Sequence, residues 1–255
     1  MADNSFKNNN LPIIFIHGSF ANSKSWRKIK EHVNENVKTY SINLPGHGGN
    51  DDPHDFDDPK FKTEFDCIKS QIPIMNEPVH LVGHSYGGVA ALAATLTKAF
   101  NVKRLTLFEP VAVGLLSIFN ENKAEQIIAD FTEEYIIHAA QDGEKNACAR
   151  VIDFWGVEGS FEVIPPHVQD AMAEMTKNNL RHWELCKQLC KYNADDIRGI
   201  DIPVTVAHGS HSNFVAKTIS NILKNNIPDC KQFEIKGASH FMITSHPKDC
   251  AKIIM

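Results

Sequence analysis

The segment Gly83-His84-Ser85-Tyr86-Gly87-Gly88 constrains this chain more than any other. It follows a mostly apolar run, residues 78–82, and leads into Val89-Ala90-Ala91-Leu92-Ala93-Ala94. The first run predicts a buried strand; the second, rich in alanine, predicts a helix. A strand that becomes a helix within so few residues needs a tight, strained turn. Residues flanking the apex of that turn must lack β-carbons that would clash. Glycines at 83, 87 and 88 meet that demand and leave Ser85 at the apex. The N-terminus of the following helix then points at Ser85 and favours a developing negative charge. A G-x-S-x-G pattern in a strand–turn–helix setting predicts a nucleophilic serine; the alternative is a mere tight turn.

Five further runs read as strands: residues 11–16, 38–44, 102–108, 202–207 and 230–235. They are apolar nearly throughout, as strands buried on both faces of a parallel sheet are. Helical patterns separate most of them, clearest at 26–33, 61–72, 89–100 and 214–223. The alternation predicts an α/β fold with a mostly parallel, doubly wound sheet of about six strands. Each strand ends in glycine or polar residues: His17-Gly18, Pro45-Gly46-His47-Gly48-Gly49, Glu109-Pro110, His208-Gly209 and Gly237. Sheets of this kind place ligands outside the carboxyl ends of their strands. From 113 to 198 only helical spacing is visible, a stretch far too long for one crossover. The expected organisation is a core of residues 1–112 and 199–255 with a helical cap, 113–198, inserted in it. A separate helical domain is the alternative.

Composition excludes some classes of partner. The net charge of −5 gives no basic face for nucleic acid or anionic membrane. No apolar run is long enough to span a bilayer. The polar, asparagine-rich segment 1–10 lacks a signal-peptide layout, and six scattered cysteines do not form a disulfide framework. A small-molecule substrate and a reducing, cytoplasmic setting are expected.

A serine hydroxyl needs a base beside it. His240, in Lys236-Gly237-Ala238-Ser239-His240-Phe241, follows the last strand and can reach back over the sheet. The order serine first, histidine last matches this class of site, although thirteen histidines leave a surface-loop role open. An imidazole acting as base in turn needs an orienting carboxylate.

Across nearly its whole length the chain resembles the α/β-hydrolase superfamily. The resemblance rests on His17-Gly18, Leu44-Pro45-Gly46-His47-Gly48, the turn at Ser85, the helical insertion and Gly237-Ala238-Ser239-His240. It implies the α/β-hydrolase fold, a Ser85–His240 pair, and no cofactor or metal. It also implies an aspartate just past the fifth strand, where this chain reads His208-Gly209-Ser210-His211-Ser212-Asn213 with no carboxylate. Some members carry the acid after the preceding strand, which points here to Glu109. Asp195, Asp196 and Asp201 precede the fifth strand and are weaker candidates, and a Ser–His dyad aided by Asn213 or water is a further one. The oxyanion donors implied are the amides of Tyr86 and Ser19. Phe20, His84, Trp155 and Phe241 are expected around the substrate pocket, with Trp26 packed beneath it.

The expected function is a serine hydrolase acting through an acyl-enzyme on a small, fairly apolar ester, thioester or related carbonyl compound. A non-catalytic binding protein on the same scaffold is one alternative; a Ser–His lyase or carbon–carbon bond hydrolase is another. Two weaker signals have bland readings beside sharp ones. His182, Cys186 and Cys190 share a helical face and suggest a metal site or, more simply, a buried helix. The aspartates between 51 and 58 suggest a cation site or a solvated loop.

Overall fold

In the computed structural model, residues 11–74 and 76–255 are described. The segment 1–10, and with it the reading of its polar character, lies outside them. The chain runs through β1 (Ile13–Ile16), a 3-10 turn at Ser23–Trp26, the single turn α1 (Arg27–Lys30), β2 (Thr39–Ser41), α2 (Phe61–Ser70), β3 (Val79–His84), α3 (Tyr86–Leu96) and β4 (Val102–Phe108). A helical stretch follows: α4 (Gly114–Ile118), α5 (Asn122–Gln141), α6 (Glu144–Trp155), α7 (Pro166–Ala173), α8 (Thr176–Gln188) and α9 (Ala194–Arg198). The sheet resumes with β5 (Val204–Gly209), α10 (Phe214–Asn226) and β6 (Cys230–Ile235), and the chain closes with α11 (Met242–Ser245) and α12 (Pro247–Ile254).

All six strands pair in parallel, in the order β2-β1-β3-β4-β5-β6. The chain builds outward from β1 to β2, then crosses back and builds β3 to β6 on the other side. The crevice of such a sheet opens where the winding reverses, between the carboxyl ends of β1 and β3. The loop carrying Ser19 leaves β1 there and Ser85 leaves β3 there.

The strand interiors are apolar because helices cover both faces. Ile14, Ile16, Leu81, Leu105 and Leu107 belong to the larger core, beneath α2, α3 and α10. Phe15, Val82, Phe108 and Ala207 belong to a second core shared with α1, α11 and α12. Trp26 sits in this second core, its ring 4.9 Å from that of Phe15, on the opposite side from the larger core.

Two elements differ from the sequence pattern for a physical reason. The run at 26–33 is a 3-10 turn and one helical turn rather than a continuous helix. Helix α3 begins at Tyr86, three residues before the alanine-rich run, despite the low helix propensity of Gly87 and Gly88. Packing decides this start. A β-carbon at Gly87 would collide with the carbonyls of Ile16 and His17, and one at Gly83 with the backbone of Gly87. The glycines let α3 lie against β1 and β3 at backbone distance, and that closeness outweighs their propensity.

Candidate active site

Ser85 has φ 55° and ψ −124°, a conformation L-residues rarely adopt, and is almost fully buried. Backbone hydrogen bonds hold the turn: Ser85 N–H donates to the Phe108 carbonyl at 3.0 Å, and Gly88 N–H to the Ser85 carbonyl at 3.0 Å. Tyr86 is the first residue of α3, so its N–H has no partner within the helix.

Glu109 stands one residue past β4 and also has positive φ, 40°. Its own N–H donates to Ala207 at 2.8 Å, stitching the end of β4 to β5. Its side chain is buried. One carboxylate oxygen, Oε2, accepts from His240 Nδ1 at 2.8 Å; the other, Oε1, accepts from Gly209 N–H at 2.8 Å and from the Ser212 hydroxyl. Burial alone would push the Glu109 pKa up. The bonds from His240, Ser212 and Gly209 outweigh it and hold the carboxyl below its usual range. With Nδ1 donating to a carboxylate, the neutral His240 ring keeps Nε2 unprotonated.

The loop after β6 is tied back to the serine turn. His84 Nε2–H donates to the His240 carbonyl at 2.8 Å, and the two rings lie 4.8 Å apart. Burial and the neighbouring His240 lower the His84 pKa to about 3, so this imidazole is neutral. His17 braces the other side. Its Nδ1–H donates to the Gly18 carbonyl at 2.7 Å and its Nε2 accepts from Leu44 N–H at 3.0 Å, joining the loops after β1 and β2.

Ser85 and His240 open onto one cavity of about 500 Å³. Ser19, Tyr86, Phe20, His84, Trp155 and Phe241 all line it. The Trp155 ring lies 5.6 Å from that of His240. Helices α6, α7 and α8 also line it, through residues such as Val151, Met172 and Trp183. The weaker acid candidates stand elsewhere. Asp195 and Asp196 are engaged at the start of α9, Asp201 is exposed, and Asn213 caps α10 while donating to the Phe154 carbonyl.

One cluster under this site was not anticipated from the sequence. Arg181 of α8 is buried and donates to Asp55 through Nε at 2.7 Å and Nη2 at 2.9 Å. It also donates to both oxygens of the buried Glu64 on α2. Glu64 accepts from the Tyr86 hydroxyl as well, at 2.7 Å. Despite burial, bonds to Glu64 and Asp55 hold the Arg181 guanidinium charged, and at Asp55 bonds from Arg181, the Lys60 amide and the Thr63 hydroxyl outweigh burial and hold the carboxyl at about pKa 2. The loop 51–58 is therefore not merely solvated: Asp55 anchors α8. The only sequence signal is Glu64 among the apolar residues of α2's buried face. Next along α8, His182 stacks on the Tyr86 ring at 3.7 Å and shares a 2.8 Å hydrogen bond with the Ser19 hydroxyl. His182 and Cys186 are buried against the cavity while Cys190 is exposed. Among the described residues no three His, Cys, Asp or Glu side chains group as metal ligands would.

Arg181→Met is expected to cost about 3–5 kcal/mol, because it leaves Glu64 buried without its counter-charge. Urea unfolding of Arg181→Met beside Arg181→Met/Glu64→Leu checks this. The double variant should recover most of the loss, and equal stability of wild type and Arg181→Met would show that the pair carries nothing.

Residues 13–253 match the model of the α/β hydrolase family, and the chain belongs to that family. It is 20% identical to a pimeloyl-[acyl-carrier protein] methyl ester esterase of Aromatoleum aromaticum, over 96% of this chain and 97% of that protein. It is 24% identical to a non-heme chloroperoxidase of Streptomyces lividans, over 93% of this chain and 88% of that one. Among solved structures, MGS-M2, an α/β hydrolase enzyme from a Medee basin deep-sea metagenome library, superposes with a TM-score of 0.73 at 14% identity, covering 99% and 90% of the two chains. An enol-lactonase from Burkholderia xenovorans LB400 gives 0.69 at 15% identity, covering 98% and 92%. No helix among the described residues is long and apolar enough to cross a membrane.

Proposed function

We propose that this protein is a serine hydrolase that cleaves a fairly apolar small-molecule ester, thioester or related carbonyl compound through an acyl-enzyme. The observation that carries this reading is the 2.8 Å bond from His240 to the buried Glu109, on the wall of the cavity that also holds Ser85. Esterases among the relatives support it. In the proposed reaction Ser85 Oγ attacks the carbonyl carbon while His240 Nε2 takes its proton. Glu109 stabilises the imidazolium and holds the tautomer. The amides of Ser19 and Tyr86 donate to the oxyanion, each worth about 3–4 kcal/mol of barrier. Collapse expels the alcohol or thiol, which leaves with the proton held by His240. Water then attacks the acyl group, gives its proton to His240, and the acid departs as Ser85 regains its hydrogen. Segment 113–198 acts in this reading as a cap that roofs the acyl group. The six free thiols support a reducing, cytoplasmic setting.

The test is covalent labelling with a fluorophosphonate. Wild type is expected to gain one adduct, mapped by peptide mass to Ser85, and Ser85→Ala none. Failure of the wild type to label, under conditions where a control esterase does, would turn the reading towards a non-catalytic binding protein.

A further inference from the structure

The roof of the cavity differs from its floor. The floor holds Ser85, His240 and their hydrogen-bonding neighbours, whereas α6 and α7 contribute Val151, Ile152, Trp155, Val168 and Met172, and α8 adds Trp183 beside the polar Asn179 and His182. Among the described residues no Asp, Glu, Lys or Arg lines the cavity. Two of its histidines, His84 and His182, are buried, and burial holds both neutral. Arg181 directly precedes His182, but its guanidinium is taken up by Asp55 and Glu64. A carboxylate carried into this cavity by a substrate would find no counter-charge, and an unpaired buried charge is costly.

The cavity's volume of about 500 Å³ lies within the range that takes drug-sized ligands and far exceeds the needs of an acetyl group. Its apolar lining does not stop at the interior. Val163, Ile164 and Val168, in and after the loop between α6 and α7, line the cavity and also reach solvent, Val163 with 84% of its surface exposed. A single exposed valine needs no explanation, but apolar surface continuous with an apolar cavity marks a binding groove.

We propose that the acyl half of the substrate is an uncharged aliphatic chain of medium length. It lies under α6 and α7, its far end stays beneath the lip formed by Val163, and chains tipped with a carboxylate are refused. This rests on the hydrolase reading and names its substrate class.

The experiment compares three p-nitrophenyl esters with one leaving group: the butyrate, the octanoate and the half-ester of suberate, which has the octanoate's chain length and ends in a carboxylate. Each buried methylene is worth about 0.8 kcal/mol, roughly fourfold, so four partly buried methylenes should raise kcat/KM at least about tenfold from butyrate to octanoate. The suberate half-ester should fall at least about 100-fold below the octanoate. Val163→Asp, an exposed substitution, should lower the octanoate-to-butyrate ratio about fivefold or more. An octanoate-to-butyrate ratio of one or less, or turnover of the suberate half-ester equal to that of the octanoate, overturns the proposal. Fluorophosphonate labelling separates the two levels. Labelled Ser85 with such ratios removes the substrate class alone, whereas a wild type that neither labels nor turns over removes the hydrolase reading and this proposal with it.

Discussion

Ser85→Ala is expected to lower kcat/KM for p-nitrophenyl esters by about 10⁴- to 10⁶-fold, and Glu109→Gln by about 10³-fold or more. The first number follows from losing the group proposed to form the acyl-enzyme. The second follows from the position of Glu109, whose Oε2 accepts the Nδ1 proton of His240 in a buried setting. A neutral amide there can no longer stabilise the imidazolium, and it can turn its NH₂ toward the ring and select the wrong tautomer. Gly209 N–H and the Ser212 hydroxyl hold the other carboxylate oxygen, and they can still donate to a glutamine carbonyl. The variant should therefore fold, so the loss reads on chemistry. Steady-state kinetics with circular dichroism as the folding control measures both. Near-wild-type turnover in Glu109→Gln beside a dead Ser85→Ala would remove Glu109 from the reaction and leave the serine in place.

Acid is expected to unfold this protein between about pH 4 and 5, through histidines buried in the neutral state. His17, His80 and His84 have their pKa lowered to about 3, chiefly by burial, with Arg104 adding to it at His80 and neighbouring histidines at the other two. The unfolded chain takes up protons at these side chains near pH 6.5, the folded chain only near 3. Below pH 6.5 the unfolded state binds more protons. The stability these groups contribute is therefore complete above 6.5 and lost steadily as pH falls toward 3. At pH 5 each costs about 2 kcal/mol, and the three together about 6, against a total stability of roughly 5–15 kcal/mol for a domain. The loss has a structural face: protonating His17 removes the acceptor for Leu44 N–H that joins the loops after β1 and β2. Glu109, whose pKa is lowered in the fold, adds to the same loss at lower pH. Urea midpoints at pH 8, 6.5 and 5 check the slope. His80 shares a 2.8 Å hydrogen bond with Thr106 inside the sheet, which glutamine can replace; burial also lowers the pKa of His47 and His182, so His80→Gln should remove one of five such contributions and reduce the slope by roughly a fifth. A midpoint that does not move between pH 8 and 5 would show that these histidines do not govern acid stability.

Much of the architecture was legible in the residues. Strands buried on both faces need apolar side chains nearly throughout, and the central runs β1 and β3 and the later part of β4 stand out for that reason, whereas the edge strands β2 and β6 carry polar residues and are only partly buried. A strand that must turn into a helix around one serine, with β1 at backbone distance, needs glycines where no β-carbon fits. The absence of strand patterns from 113 to 198 is matched by α4 to α9. The positions of Glu109 and His240 as strand-end residues could be read from their place after apolar runs.

Their meeting was expected only from the family resemblance, not from any local pattern. Glu109 and His240 are 131 residues apart, and their contact depends on β4 lying beside β5, and β5 beside β6, in parallel register. The loop after β5 carries no carboxylate, yet it holds Glu109 through Gly209 and Ser212, a contact no local pattern encodes. Arg181 reaches Glu64 and Asp55 only because α8 folds back over α2. The sequence by itself determined the periodicities: which segments are strands, which are helices, and where a serine can stand on a strained turn. These rest on interactions within a few residues, which composition and spacing record. Only the tertiary structure decided which charges are paired, which histidines are kept neutral and what lines the cavity. Those depend on desolvation and on partners more than a hundred residues away, which are set once the sheet order brings the strand ends together.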